Sequence, residues 1–453
     1  MNEAAIAPAA SRWRMIAAKA KAPATLVAGT VVILNIIRIV SSMVLTRMLD
    51  VEVFGVVGIL TSITIIFGMI SDLGFAAYVI RSAEGTDKRF LDEIWTLRLM
   101  RSAGLAVLLA VLAWPISAYI GEPDLAPALA VFGMSFLLEG ITSMATATSI
   151  RNGQVGRISL FDISAAVIQT ALTIFIAYFL RSYWAIIYAT LLGNVVKIVL
   201  SYAMFSGSRR HWHFSRARAA ELWRFARYIT GSSILTMIIS QSDKIALSRF
   251  LPLDLFGLYM IAVTLAQGPL AFAAPYANRV LFPAYARIAR EEPAALRERF
   301  YSWRRRISAL FALAAGGLVT SAPLAIELLY DPRYRGASVY LQLLAIGAIP
   351  ALNTQAANAV LIAAGRMWTT MASNIVRLCW LIGGGTLGYL GFGPIGLIAA
   401  VGTVEVAAQL YYWFALGRNG LLNVKEELLL LAAALLGALL GEGVTAVGLL
   451  FIH

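Results

Sequence analysis

Residues 45–59 read LTRMLDVEVFGVVGI, and residues 247–261 read LSRFLPLDLFGLYMI. At a fixed offset of 202, Leu45, Arg47, Leu49, Phe54, Gly55 and Ile59 meet identical residues, while Thr46/Ser248 and Glu52/Asp254 are close substitutions. Self-similarity at one offset marks an internally duplicated fold. A weaker echo sets Gly156-Arg157 beside Gly365-Arg366.

What was duplicated follows from composition. Of 453 residues 60% are hydrophobic and 13% charged, against roughly 25% charged in a soluble domain. A soluble chain could not bury that much apolar surface, so a cytosolic enzyme, a disordered chain and a fibrous chain are excluded. Cys379 is the single cysteine, which leaves no internal disulfide. Three histidines, with His211 and His213 close together, make a poor zinc set, and no metal site is expected. Apolar runs long enough to cross roughly 30 Å of hydrocarbon as helix occupy about 27–48, 53–76, 99–120, 125–149, 159–180, 183–204, 229–250, 255–278, 307–329, 338–363, 369–390, 393–416 and 428–451. The last, around Gly441-Glu442-Gly443, reads as one helix or two. These runs are Leu/Ala/Ile-rich and continuous, which excludes a β-barrel. The first is too long for a signal-peptide core and is expected to remain as a helix.

The fold class is therefore an all-α polytopic membrane protein. The expected organisation is a basic N-terminus at 1–26, a lobe of six spans at 27–204, a basic linker at 205–228, a second six-span lobe at 229–416, and 417–453 with one or two further helices. Six spans per lobe give both copies the same orientation, a parallel repeat about an axis along the membrane normal and a transporter architecture. With the N-terminus in the cytoplasm, cytoplasmic segments hold 28 of the 37 basic residues and the opposite loops hold five. That bias sets the orientation. It places the basic residues beside anionic lipid and disposes of nucleic-acid binding.

Four cations lie within spans: Arg38, Lys197, Lys244 and Arg377. Each is costly against lipid, so each is expected to face a cavity or a partner. Helical spacing places Asn35, Arg38 and Ser42 on one stripe and Gln241, Lys244 and Ser248 on another. Asn194 lies a turn from Lys197, Asn374 shares a face with Arg377, and Asn358 adds an amide on the tenth span. The deep acids Asp243, Glu139, Glu405 and Glu442 nearly balance these cations. Structural pairing of individual cations with carboxylates or helix carbonyls is thus the competing reading. Prolines at 115, 269, 275, 323 and 350 interrupt helix ladders and permit kinks. The outer loops are short, and neither a phosphate-cradling glycine loop nor a catalytic triad pattern is present.

Taken together, Leu45-Thr46-Arg47-Met48-Leu49, Phe54-Gly55, Ser71-Asp72-Leu73-Gly74 and Ile80-Arg81 resemble the first half of the bacterial polysaccharide flippases, in the multidrug/oligosaccharidyl-lipid/polysaccharide exporter superfamily. The second half resembles them in Asp243 four residues before Leu247, Phe256-Gly257-Leu258-Tyr259, Phe282-Pro283, Leu328-Leu329-Tyr330 with Tyr334 and Ala337, and Ala364-Gly365-Arg366. The resemblance runs from about residue 25 to 420. It implies a non-enzymatic carrier in the bacterial inner membrane. Its cargo would be an oligosaccharide on undecaprenyl diphosphate, flipped to the periplasm, with a polysaccharide polymerase and export machinery as partners beside membrane lipid.

On this reading Arg38, Lys197, Lys244 and Arg377 attract the diphosphate, and Asn35, Ser42, Gln241, Asn194, Asn358 and Asn374 meet sugar. Asp243, Glu139 and Glu405 bind a coupling H⁺ or Na⁺ or balance charge; no other cofactor is expected. Two alternatives stand beside it. A cation-coupled drug antiporter of the same superfamily would use an intramembrane carboxylate, but basic residues on four spans disfavour a cationic cargo. A membrane-embedded glycosyl- or lipid-modifying enzyme is disfavoured by the short outer loops.

Overall fold

The computed structural model describes residues 9–205 and 210–452. The start of the expected basic N-terminus and residues 206–209 of the expected linker lie outside the described residues. Every regular element among them is helical. The first half comprises α1 (Ala9–Met48), α2 (Val51–Ile70), α3 (Phe75–Arg81), α4 (Lys88–Ile120), α5 (Ala126–Ile141), α6 (Ala145–Arg151), α7 (Val155–Leu180) and α8 (Tyr183–Met204). The second comprises α9 (Arg216–Phe250), α10 (Leu253–Tyr276), α11 (Phe282–Glu291), α12 (Leu296–Leu329), α13 (Ala337–Ala345), α14 (Ala348–Ala363), α15 (Trp368–Gly402), α16 (Val404–Arg418) and α17 (Val424–Ile452).

Eleven helical stretches among the described residues are long and apolar enough to cross a membrane. Two of the thirteen expected spans fall short of that measure. The run 229–250, inside α9, carries Asp243, Lys244 and Arg249. The run 393–416 is broken, because Gly393 leaves the helical region at φ +62° and Thr403 separates α15 from α16. At the C-terminal side, Gly441-Glu442-Gly443 lies within one continuous helix, α17.

The repeat is visible in the packing. Helix α1 lies on α7 as α9 lies on α15, α7 pairs with α8 as α15 pairs with α16, and α2 meets its equivalent α10 at the seam. This makes two lobes of six long helical segments each, with α17 added along α12. At the seam the duplicated glycines touch reciprocally. A Cβ on Gly55 would fall 2.3 Å from the Leu253 carbonyl oxygen, and one on Gly257 2.1 Å from that of Val51. Leu253 and Val51 are themselves repeat equivalents, so the contact is two-fold. Glycine is required because backbone meets backbone there.

Residues 49–54, 251–257 and 330–336 form the distal end of the molecule, and 81–101, 210–228 and 279–306 the proximal end. Several proximal arginines are structural. Arg101 donates to Ser71 O at 2.7 Å and Gly68 O at 2.8 Å, at the end of α2, and Arg98 to Gly140 O at 3.1 Å, at the end of α5. Both satisfy carbonyls that a helix C-terminus leaves without partners. The Ser71–Gly74 segment breaks the chain after α2. Gly74 adopts φ +63°, and its N–H donates to Asp72 Oδ1 at 2.9 Å. Helix α9 begins inside the expected linker and runs unbroken to the distal end. Arg218 ties it to the first lobe through Glu84 at 2.5 Å and Glu93 at 3.0 Å.

Candidate functional site

A cavity of about 620 Å³ opens beside the seam. It is walled by α1, α2, α7 and α8 of the first lobe and by α10 of the second. Helical spacing builds each wall. From α1 come Arg38, Ser41, Ser42 and Leu45; from α2, Phe54, Val57, Gly58 and Thr61; from α7, Asp162, Ala165, Ala166 and Gln169. These positions recur at three- and four-residue steps, which keeps them on one face. Lys197 enters from α8, and Met260 and Thr264 from α10.

Arg38 and Lys197 are both exposed to the cavity space. Asn35 aims Arg38: its Nδ2 donates to Val31 O at 2.8 Å, and its Oδ1 accepts from the guanidinium at 2.7 Å. Neither cation makes an ion pair within 4.0 Å among the described residues. Asp162 is the acid of this cavity and lies within electrostatic reach of Lys197. Gln169 donates to Ala189 O at 3.0 Å, its amide filling the space that Gly193 leaves. The result is a chamber with two cations, one acid and a lining of hydroxyls and an amide.

Among the described residues, the second lobe's equivalents of this wall are filled by buried, bonded side chains. Ser41, Ser42, Val57 and Gly58 correspond to Asp243, Lys244, Tyr259 and Met260. The Tyr259 hydroxyl donates to the Asp243 carboxylate. Lys244 Nζ donates to Ser240 O at 2.6 Å and lies 3.4 Å from Asp243 Oδ1. All three side chains are buried. Adjacent helix residues point about 100° apart, yet the flexible lysine stem curls back and the two charges pair.

The four expected cations therefore do not converge. Arg38 and Lys197 share the cavity. Lys244 borders a separate apolar pocket of about 310 Å³ between α2, α4 and α9. Arg377 is clamped by Glu405, at 2.9 and 3.0 Å, and donates to Ser373 and Asn374 at 3.2 Å each. Thr354 adds a 3.0 Å bond to Glu405, which ties α14, α15 and α16 together.

The remaining expected residues are dispersed. Asn35 and Ser42 belong to the α1 wall. Asn194 is half-buried on α8, one turn from Lys197. Asn358 accepts from Thr370 at 2.7 Å. Gln241 is buried with its Oε1 unbonded among the described residues. Glu139 is exposed at the end of α5, within electrostatic reach of Arg98 and Arg101. Sequence reading passed over Asp162 and Gln169. Their seven-residue spacing in an otherwise apolar run was the available signal.

The distal end is sealed. Above the two-fold glycine contact, Tyr334 donates to Leu49 O at 3.0 Å, and Arg333 reaches Asp50 at 2.6 Å and Asp331 at 3.0 Å. Ser42 donates to Tyr330 at 3.4 Å, and Phe54 meets Tyr334 edge-on at 5.7 Å. The Arg333 backbone N–H, accepted by Asp331, holds that carboxyl below the usual carboxylate range, with the Arg333 guanidinium adding to the effect. From under this seal the cavity extends toward the proximal end, where Asp162 and Lys197 lie.

Residues 44–339 match the polysaccharide biosynthesis protein family. Over 397 residues the chain is 24% identical to the lipopolysaccharide biosynthesis protein WzxC of Escherichia coli strain K12, across 86% of this chain and 78% of that one. It is 23% identical over 337 residues to the teichuronic acid biosynthesis protein TuaB of Bacillus subtilis strain 168, across 74% and 69%. It is 24% identical over 250 residues to the succinoglycan biosynthesis transport protein ExoT of Rhizobium meliloti strain 1021, across 55% and 50%. Solved structures that share its fold include two that cover most of the chain. One is the lipid II flippase MurJ in an inward closed conformation, at TM-score 0.72 and 12% identity over 94% of this chain and 95% of that one. The other is a multidrug resistance transporter of the MATE family in an inward-facing conformation, at 0.68 and 16% over 85% and 94%.

Proposed function

The chain belongs to the polysaccharide biosynthesis protein family, and from that membership we propose that it flips a polyprenyl-diphosphate-linked oligosaccharide from the cytoplasmic to the periplasmic leaflet of a bacterial inner membrane. The observation that carries the reading is the pair Arg38 and Lys197, two cations that share one chamber inside the apolar part of the molecule and make no ion pair within 4.0 Å among the described residues. A diphosphate brings about two negative charges and takes charge-assisted hydrogen bonds from such groups. Asp162, Gln169, Thr170 and Ser41 supply partners for sugar hydroxyls. At about 620 Å³ the chamber falls within the roughly 300–1,000 Å³ of pockets that enclose a small ligand. It therefore takes the diphosphate and the first sugars, while the rest of a longer saccharide extends toward the proximal end. The names of the relatives, for lipopolysaccharide, teichuronic acid and succinoglycan biosynthesis, support a cargo of this class.

The proximal end then faces the cytoplasm, and the distal seal bars the periplasm. A chamber sealed at the distal end fits one half of an alternating-access cycle. The chain acts as a carrier rather than an enzyme, driven by exchange of H⁺ or Na⁺. Deletion of the gene is expected to accumulate the lipid-linked saccharide on the cytoplasmic leaflet, and the wild-type gene to clear it. Normal periplasmic delivery in the deletion strain, with no second carrier present, removes this reading.

A further inference from the structure

Helix α10 presents three faces, and one of them continues beyond the chamber. Met260 and Thr264 line the chamber. At alternating steps of three and four, the same stripe runs on toward the proximal end through Gln267, Ala271 and Ala274. Such steps hold residues on one side of a helix. A second face is buried on α13 and α14: Tyr259 meets Tyr340 edge-on, and Ala273 clusters with Ala351 and Leu352. Phe272 and Tyr276 mark the third face. They stack on one another at 5.4 Å, and Phe272 lies 6.3 Å from Phe311 of α12.

Gln267 is exposed inside the candidate span Leu253–Tyr276. Its carboxamide has no hydrogen-bond partner among the described residues. Asn35 and Gln169, by contrast, are already bonded, Asn35 to Val31 O and Arg38 and Gln169 to Ala189 O. A free carboxamide facing hydrocarbon is disfavoured, whereas one facing an internal cavity finds water or cargo. Depth agrees with the cavity. Lys197 follows Tyr183, and Gln267 follows Leu253, by the same fourteen residues from the distal ends of their helices. At equal rise per residue they lie about level. The repeat agrees too. Gly58 and Met260 touch at the seam. About two turns further on, the repeat equivalents Ile65 and Gln267 are both exposed. The first lobe thus offers hydrocarbon there, and the second an amide.

We propose that Gln267 is the second lobe's contact for the saccharide, bonding uncharged hydroxyl or acetamido groups of the sugars next to the diphosphate. Arg38 and Lys197 of the first lobe hold the charge. The proposal rests on the cargo class given above and assigns the residue that reads its sugar. A carboxamide suits that task, because it sets two N–H donors beside a carbonyl acceptor. Sugars offer donors and acceptors side by side in the same way. A site that hydrogen-bonds a cargo group discriminates against a cargo lacking it, since its own polar atoms are then left unpaired. The two lobes therefore divide the recognition: cations attract any polyprenyl diphosphate, and Gln267 favours one that carries sugar.

The test uses the full chain in lipid nanodiscs and two probes. One is undecaprenyl diphosphate alone, and the other is the saccharide-linked form that accumulates in the deletion strain. Gln267→Ile, which copies Ile65, is expected to weaken binding of the saccharide-linked probe about threefold to tenfold, the loss of one neutral hydrogen bond. Binding of the bare diphosphate should be unchanged, whereas Arg38→Ala should weaken both. In a Cys379→Ser background, Gln267→Cys is expected to react with a charged, water-soluble thiol reagent. The saccharide-linked probe should protect it more than the bare diphosphate does. A thiol that reacts only with lipid-soluble reagents overturns the proposal, because the residue then faces hydrocarbon. So does Gln267→Ile binding both probes equally weakly, or both normally, while Arg38→Ala impairs both. If Arg38→Ala itself binds both probes normally, the reading of the cargo falls, and this proposal falls with it.

Discussion

Met260 lies over Gly58, its own repeat equivalent: a Cβ on Gly58 would come within 2.5 Å of Met260 Cγ. The second lobe thus closes one wall of the first lobe's chamber with a flexible thioether, where the first lobe leaves a gap. Methionine adapts readily to small volume changes. Gly58→Ala is therefore expected to transport at close to the wild-type rate, whereas Gly58→Phe occupies the chamber and stops transport. Uptake of lipid-linked saccharide in proteoliposomes distinguishes the two. Full activity in Gly58→Phe would place the route elsewhere.

The cations separate into two groups with different signatures. Arg38→Ala and Lys197→Ala each remove a charge-assisted contact of about 1.5–3 kcal/mol, so transport should fall roughly tenfold to a hundredfold. The amount of folded protein should be unchanged. Arg377→Ala instead leaves the half-buried Glu405 without its cation, a loss of about 1–3 kcal/mol, and should lower folded yield and melting temperature. The double change Arg377→Met with Glu405→Leu should recover stability. Melting curves beside transport rates check both statements.

Asp162 partly neutralises Lys197 while the chamber is empty. Asp162→Asn should strengthen the hold on an anionic cargo and slow its release, so that KM and maximal rate fall together. Initial rates against cargo concentration measure this. An unchanged KM with loss of ion dependence would instead assign Asp162 to the coupling ion.

The distal seal must part for release. In a Cys379→Ser background, the pair Asp50→Cys with Arg333→Cys should stop transport on oxidation and restore it on reduction. Acid should loosen the loop at 331–333 as well. The Asp331 carboxyl is held below its ordinary value, so its contribution is complete at neutral pH. It is lost only as pH falls below the usual aspartate value of about 3.9. Proteolysis or thiol labelling of the loop across pH 3–7 follows the change.

Orientation is tested directly by reporter fusions. Fusions at 215 and at 290–300 should report cytoplasm, and a fusion at Arg333 should report periplasm. A periplasmic signal at 215 would reverse the direction of transport.

The contrast between Gly55 and Arg377 shows what sequence could reveal. Gly55 and Gly257 stand out because a backbone-to-backbone contact tolerates no side chain, so both copies kept the same residue. The α1 stripe of Asn35, Arg38 and Ser42 was equally legible, since one helix's periodicity defines one face. The Arg377–Glu405 clamp was not, because it depends on how α15 and α16 pack after the break at Gly402-Thr403. Lys244 misled for a related reason. Its position predicts a cavity, but its stem length lets it reach the Asp243 carboxylate. Asp162 was overlooked because it lies only three residues inside its expected span, where a carboxylate reads as a boundary.

Where the first lobe lines its chamber with Ser41, Ser42 and Val57, the repeat-equivalent Asp243, Lys244 and Tyr259 of the second lobe bond to one another and are buried. The consequence is one of stoichiometry. On the proposed function, each chain should load a single cargo molecule per cycle, and its binding isotherm should saturate at one equivalent with a Hill coefficient of one even though the architecture is two-fold.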